Sequence, residues 1–490
     1  MLETPIRNHP TVLVARALTL AFILAMVSIS YVIEGLYEFI VPMVGLFALL
    51  MVVFVIFWAK TTICATDMEL ISEFNFIMHK HKAVPYNKIA SVNVVRTLVN
   101  RIFGTATIQV NINSAVNAAR PEISLCLKND VANKVRDELS ARIYGLNYTS
   151  EQEYVYESSI HLTNRDAILH GIFGNSSWFV ISSVFFTLLS VAVIFMETGE
   201  DMIGLISTFM LFALSFVIPM VALILRYYNF RVYRLGDTIY LQHGAIQLYK
   251  TSFKVNKINS VRIKRTFFAR LMNKACLEVD VVGINATQDT TPVLCILTSM
   301  DNIRTLMGDV VPDFIYEKEG NRQPGCAAIP WLMKAFWATC ATALVYAYPM
   351  WFLMFEDVSV LELSDTNLMI LRLVVLGSFL FLAFVYFAAA HIGFNKNRLD
   401  VGENMFMFET GIVDRVRTIM QYDRAQIVDV YAWPSAYRQG LSRCRVYMLS
   451  SSGHSIAVSG YYPTEDLEVI QKEVMERIKD GRYDYKKSVF

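Results

Sequence analysis

Apolar residues gather in long runs, at 12–33, 36–58, 177–196, 202–225, 331–355 and 368–391. Each run is about 20 residues or longer, enough for a helix to cross a hydrocarbon core of roughly 30 Å. The runs form three pairs. After each pair the pattern changes to a period of two. TATIQVNI at 105–112, CLEVDVVG at 276–283 and RVYMLSSS at 445–452 put one side of a strand in a core and the other in water. Gly236-Asp237, His243-Gly244 and Ser452-Gly453 punctuate these runs as antiparallel hairpins require. A helical period closes each polar region, at 129–143, 299–311 and 464–478. In the last, Leu467, Ile470, Val474 and Ile478 share a face, and Thr464 is expected to cap the start, with Glu465 and Asp466 in the first turn.

The pattern predicts an α+β membrane protein, with six transmembrane helices in three hairpins and three cytoplasmic β-barrel or sandwich domains that each end in an α-helix. The expected boundaries are hairpin 1 at 1–59, domain 1 at 60–160, an interfacial segment with hairpin 2 at 161–226, domain 2 at 227–325, hairpin 3 at 326–391 and domain 3 at 392–490. The first run follows basic residues as a signal peptide would, but it continues without a small-x-small cleavage pattern, and a second run follows at once. It reads as an anchor. The segment 161–173 has a T-x-x-D capping signal at Thr163 and Asp166, which predicts either an interfacial helix or an extension of the third span.

Composition agrees with the hydropathy pattern. The 490 residues are 54% hydrophobic and 18% charged, with mean hydropathy +0.40, too apolar for an ordinary soluble enzyme. The short connections at 34–39, 197–201 and 355–367 carry no Lys or Arg, whereas Arg7, Lys60, Arg226, Arg231, Lys396 and Arg398 flank the runs. Positive residues stay inside, which places both termini and all three domains on the cytoplasmic side of the membrane. Seven cysteines without a CxxC pair suit reduced thiols.

The polar regions repeat. YNKIASVNVVRTLVNRIFG at 86–104 matches VNKINSVRIKRTFFARLMN at 255–273 at eight of nineteen positions, and a worn third copy surrounds Ile427. Ile89, Ile258 and Ile427 stand 169 residues apart, which aligns Gln426, Asp429 and Pro434 with the repeated Lys, Ser and Arg. Hairpin plus domain in triplicate, with K-I-x-S-V and R-T-x-x-x-R, resembles the YdbS/YdbT-type bacterial membrane proteins with pleckstrin-homology-like (bPH2) domains, and the architecture resembles the larger, YdbT-type member. The resemblance implies two near-orthogonal antiparallel sheets with a C-terminal helix, a smaller YdbS-type partner and a role at the cell envelope.

Function is expected in the cations of the second copy. Residues 250–274 hold Lys250, Lys254, Lys257, Arg262, Lys264, Arg265, Arg270 and Lys274 with no acid among them. Alternation turns Val261 and Ile263 inward and Arg262 and Lys264 outward. Lys257, Arg262, Lys264, Arg265, Arg270 and Lys274 are therefore candidate contacts for anionic phospholipid or for an acidic partner face, with Lys88, Arg96 and Arg101 as the weaker equivalent. Self-association is the other partner class. Tethering and a net charge of +1 exclude nucleic acid.

No G-x-S-x-G, HExxH, Walker A or dinucleotide phrase occurs, so no catalytic residue, metal or cofactor is expected and the chain reads as a non-enzyme. His79 and His81 have no third ligand nearby in sequence and read as a solvated strand face. A transporter or lipid-handling protein whose hairpins line a path is the alternative. Arg16, Lys334, Arg372 and His391 lie near run ends, where they can reach the interface, rather than at the depth ion translocation needs.

Overall fold

The computed structural model describes residues 5–33, 38, 40–76, 79–112, 121–144, 162–177, 181, 217–281, 292–355, 365–450 and 453–481. Most of the third and fourth apolar runs, and most of the three short connections at 34–39, 197–201 and 355–367, lie outside the described residues.

The first unit begins with α1 (Thr11–Ile33) and α2 (Ile40–Lys60). β1 (Thr61–Ala65), β2 (Glu69–Asn75), β3 (His79–Pro85) and β4 (Ile89–Arg96) follow, then α3 (Leu98–Ile102), β5 (Thr105–Ile112), β6 (Ile123–Lys128) and α4 (Asn129–Tyr144). In the second unit α5 (Asn164–Phe173) and α6 (Ile218–Tyr227) lead into β7 (Arg231–Leu235), β8 (Thr238–His243), β9 (Leu248–Lys254) and β10 (Ile258–Arg265). Next come α7 (Phe267–Leu271), β11 (Lys274–Val281), β12 (Val293–Ser299) and α8 (Met300–Val310). The third unit has a short β13 (Asn321–Arg322), α9 (Ala328–Phe355), α10 (Asp365–Lys396), β14 (Arg398–Val401), β15 (Met405–Thr410), β16 (Arg415–Gln421) and β17 (Ile427–Tyr431). It ends with α11 (Pro434–Tyr437), β18 (Leu441–Ser450), β19 (Gly453–Val458), β20 (Tyr462–Pro463) and α12 (Thr464–Lys479).

Among the described residues, three helical stretches are long and apolar enough to cross a membrane: Val41–Lys60, Gly325–Met354 and Leu368–Lys396. Each is joined to a sheet by polar anchors at its polar end. Trp58 Nε1 donates to the Asn8 carbonyl (2.7 Å), and the Asn8 amide oxygen accepts from Cys126 N (2.7 Å). Gln323 does the same for the last pair, donating to the Gly393 and Phe394 carbonyls (2.9 and 2.7 Å) while accepting from Tyr461 N (2.7 Å). The helix predicted after Thr163 forms. Thr163 N donates to Asp166 Oδ2 (3.1 Å), and α5 stops at Phe173, so it is a helix of its own rather than the start of a span.

In every unit three strands form one sheet, three more form a second, and a terminal helix covers the core between them. Ala132, Val135 and Leu139 of α4 fill that place in the first unit, and Leu467, Ile470 and Val474 of α12 in the third. Two expectations for α12 are corrected. Its cap is Pro463, because Thr464 is already helical and its hydroxyl turns to Ser442 Oγ (2.7 Å). Ile478 is 39% exposed, and the buried place beside Val474 goes to Arg477, held by Glu473 (2.7 Å) and Asp423 (3.1 Å).

The sheets do not stop at unit boundaries. β4 of the first unit pairs with β9 of the second, giving a six-stranded order β6-β5-β4-β9-β8-β7. β10 of the second pairs with β16 of the third, giving the seven-stranded order β12-β11-β10-β16-β15-β14-β13. The second core accordingly takes in Met407 and Ile419 from the third unit.

The third copy of the repeat is also re-registered. A single 3-10 turn precedes the repeated strand at Tyr86–Lys88, Val255–Lys257 and Tyr422–Arg424, and a left-handed residue follows the short helix at Gly104, Asn273 and Gly440. These landmarks set copies two and three 167 residues apart, not 169. Ala425, buried like Ile89 and Ile258, is their true counterpart, and Ile427 is 57% exposed. Arg424, Ile427 and Ala432 therefore stand where Lys257, Ser260 and Arg265 stand, and Asp429 takes the place of Arg262.

Candidate functional site

The repeated phrase is the seam between units. Val94, Val95 and Arg96 pair with Lys250, Tyr249 and Leu248; Ile263, Lys264 and Arg265 pair with Arg417, Val416 and Arg415. The two seams share one register, since the same repeat positions face each other in both. The phrase forms the last strand of one unit's second sheet, and the next unit's β9 or β16 completes it.

The second arginine of R-T-x-x-x-R locks the seam. Arg101 donates to the carbonyls of Ala245 and Ile246 (3.1 Å to the latter), and Arg270 donates to the Val413 carbonyl (2.6 Å) in the corresponding turn of the next unit. Those turns open on Gly244 and Gly411, with φ of 117° and 122°, where any side chain would strike the Gln247 or Asp414 carbonyl. The Thr of the motif caps the short helix that carries the arginine, accepting from Asn100 N (3.2 Å) and from Ala269 N (3.3 Å).

The acids absent from residues 250–274 arrive from other elements. Arg262 Nε lies 2.9 Å from Asp280 Oδ2 on β11 and its guanidinium reaches Ser455 Oγ of the third unit. Asp280 is fully buried; Ser260 donates to it, as does Ser455 across the seam (3.2 Å). Burial pushes its carboxyl up, with Arg262 and the two serines pulling the other way. Lys264 lies 3.5 Å from Glu278, which holds its ammonium above the usual lysine value. Lys274 pairs with Asp166 of α5 (3.2 Å), tying the sheet to that helix. Lys257 is half-buried at the end of its 3-10 turn, and Lys88 is exposed.

Arg96 and Arg265 are placed differently. Arg96 reaches Asn133 (3.4 Å), and Arg265 reaches Asn273 (3.3 Å). Burial holds Arg96 below the ordinary guanidinium value, and Arg136 and Arg101 add to it. Burial and then Arg415 do the same to Arg265 and Arg270. Each seam thus gathers three arginines at the end that carries the short helix. At the first seam Arg96 and Arg101 line an open cavity of about 270 Å³ together with Asn100, Thr105, Asn129 and Leu248.

Arg415 and Arg136 were invisible in the repeat because they come from other segments. Asp414 was missed for the same reason. It accepts from Ser177 N (2.9 Å), Ser176 Oγ (3.2 Å) and Phe267 N (3.2 Å), joining the third unit to the start of the third apolar run.

Beside these arginines the short helices expose apolar side chains: Leu98, Ile102 and Phe103; Phe267, Leu271 and Met272; Trp433 and Tyr437. α3 packs on α1 and α11 packs on α9, while Thr266, at the start of α7, donates to the Phe173 carbonyl (2.6 Å). α3 and α11 therefore stand at the helix-hairpin ends of their units, and α7 stands at the end of α5.

His79 contacts Asn75 (2.8 Å) and His81 contacts Glu73 (3.1 Å). Among the described residues no three of His, Cys, Asp and Glu converge as a metal site would require.

No curated protein and no solved structure matches the chain. The sequence profile described as "Bacterial PH domain" matches residues 12–143 and 183–307, together more than half of the chain. The matched residues contain both complete copies of the repeated phrase and all six strands of the sheet formed at the first seam, and the chain belongs to the bacterial PH domain family.

Proposed function

We propose that this protein is a non-enzymatic, multi-pass assembly module of a bacterial cytoplasmic membrane. On this reading three PH-like domains lie in the cytoplasm with both termini, and the chain works at the cell envelope. The observation that carries it is the use of one strand, in one register, to join successive units edge to edge. β-edge pairing supplies main-chain hydrogen bonds along a whole strand, and the flanking side chains choose the partner. A chain that uses this contact twice within itself is built to associate through PH-like edges. The test is copurification of the full-length protein from bacterial membranes in mild detergent. A stoichiometric second copy or a smaller PH-domain membrane protein is expected. Recovery of the monomer alone overturns the reading.

Anionic phospholipid contact is a second reading, favoured by the arginine clusters beside exposed apolar side chains at the hairpin end. Arg265, Arg270 and Arg415 at one seam and Arg96 and Arg101 at the other would meet headgroups while Leu271 or Ile102 enters the interface. Arg262 and Lys264 serve less well, since each already holds a carboxylate. Arg265→Gln with Arg415→Gln in the full chain is expected to lower retained anionic phospholipid several-fold, at about 1 kcal/mol for each cation near the surface. Unchanged lipid content sinks this reading and leaves assembly intact.

A further inference from the structure

The seams leave two unmatched edges. β3 occupies in the first unit the place of β9 and β16, and among the described residues it pairs only with β2. β17 occupies in the third unit the place of β4 and β10, and among the described residues it pairs only with β18. One end of the molecule therefore presents the strand that a seam receives, and the other end presents the strand that receives it. We propose that β17 of one copy pairs with β3 of a second copy, in the register of the two internal seams, so that the protein assembles head to tail.

Register makes the proposal specific. Asp429 stands where Arg262 stands, and Arg262 faces Thr418. The counterpart of Thr418 on β3 is Lys82, by the pairing of each strand with its sheet neighbour. A second copy docked in this register sets Asp429 directly opposite Lys82, a cross-strand pair of opposite charge. Lys82 already holds Glu122, and its ammonium has donors for another carboxylate. Arg445, the neighbour of Asp429 across β18, lies over Tyr431 (4.7 Å) and near Tyr447 (3.3 Å). The same register sets Tyr431 opposite Lys80. Ile427 is exposed at the position where Ser260 is fully covered by a seam, so docking would shield an apolar residue that otherwise marks an open edge. Lysines on an edge strand deter indiscriminate pairing; an edge carrying Asp429 is the kind they admit. Because unlike edges meet, the contact is heterologous and grows into a ring or a row.

The inference rests on the assembly reading and names its surface. Two differently tagged full-length copies are coexpressed in bacterial membranes, one with Asp429→Cys and the other with Lys82→Cys. A mild oxidant is expected to link the two tags, and neither variant is expected to link to an unsubstituted chain. Separately, Asp429→Lys is expected to reduce recovery of the second tag roughly fivefold by placing like charges opposite, and Lys82→Glu in the same chain to restore it. Copies that associate without linking, and without responding to Asp429→Lys, overturn the edge and leave the assembly reading standing. A different stoichiometric partner with no second copy does the same. No association of any kind overturns both. If Asp429→Lys fails to fold, the cysteine pair decides alone.

Discussion

Strands β10 and β17 stand at the same point of successive units, yet β10 lies inside a seven-stranded sheet and β17 ends its sheet. Their side chains differ accordingly. β10 carries Arg262, Lys264 and Arg265, all engaged at the seam, and α7 after it supplies Arg270 to the next unit's turn. The corresponding residues in the third unit are Asp429, Tyr431, Ala432 and Tyr437. The lock residues are lost at the strand that joins no other unit among the described residues. What the repeat retains everywhere is the buried alternation, Val261 and Ile263 in one copy and Val428 and Val430 in the other, because a strand still needs a core-facing side whichever sheet it ends in.

The sharpest way to break the contrast is to remove Arg262. Arg262→Ala leaves Asp280 buried without its cation, and is expected to cost about 3 kcal/mol in denaturant unfolding of the full chain in detergent. Arg262→Leu with Asp280→Leu is expected to recover most of that loss, because the burial penalty of the carboxylate disappears with the pair. Arg270→Ala removes a charge-assisted bond to Val413 and is expected to cost about 2 kcal/mol, whereas Tyr437→Ala at the same place of the third unit should change stability by less than about 0.5 kcal/mol. Hydrogen exchange along β10, β16 and β17 locates the effect: the first two strands loosen together and β17 does not.

Acid should separate the units further. His170 is buried against Tyr227, and His243 is stacked on Phe230 and Tyr249, with Nδ1 2.8 Å from the Arg226 carbonyl. Burial lowers their pKa values to about 3 and about 4. Lys264 and Arg226 add to the shift of His170; at His243 the carbonyl opposes it and Arg226 adds to it. The unfolded chain takes up these protons near pH 6.5 and the folded chain does not. Stability is therefore full above about pH 6.5 and falls as pH drops toward the folded values, by about 1 kcal/mol for each imidazole at pH 5.5. Faster exchange on acidification should centre on β8 and β9, and His243→Phe should blunt it. The smallest expected effect is Asp429→Asn, within about 0.5 kcal/mol of the parent stability, because an exposed strand residue without an ion pair holds little.

The local grammar of the chain was legible. Strand β5 spans the stretch that alternation marked, and α4, α8 and α12 fall on the helical periods, because burying one side of an element needs only the right period. The T-x-x-D start of α5 was legible too, since capping is settled within four residues. The third copy was misaligned by two residues because Ile427 imitates Ile258 in sequence while the 3-10 turn that sets the frame has no identical residue between the second and third copies. The cations of 250–274 looked unopposed because Asp280, Glu278 and Asp166 reach them from another strand and from α5.

The sequence by itself determined that this protein alternates long apolar runs with stretches of strand and helix period, since hydropathy and period act within a few turns of chain. Only the tertiary structure decided that the repeated strand is shared between domains, which cations are neutralised and which edges stay open. Main-chain hydrogen bonds between strands carry no signature in side-chain type, and β4 meets β9 only after more than 150 residues of intervening chain.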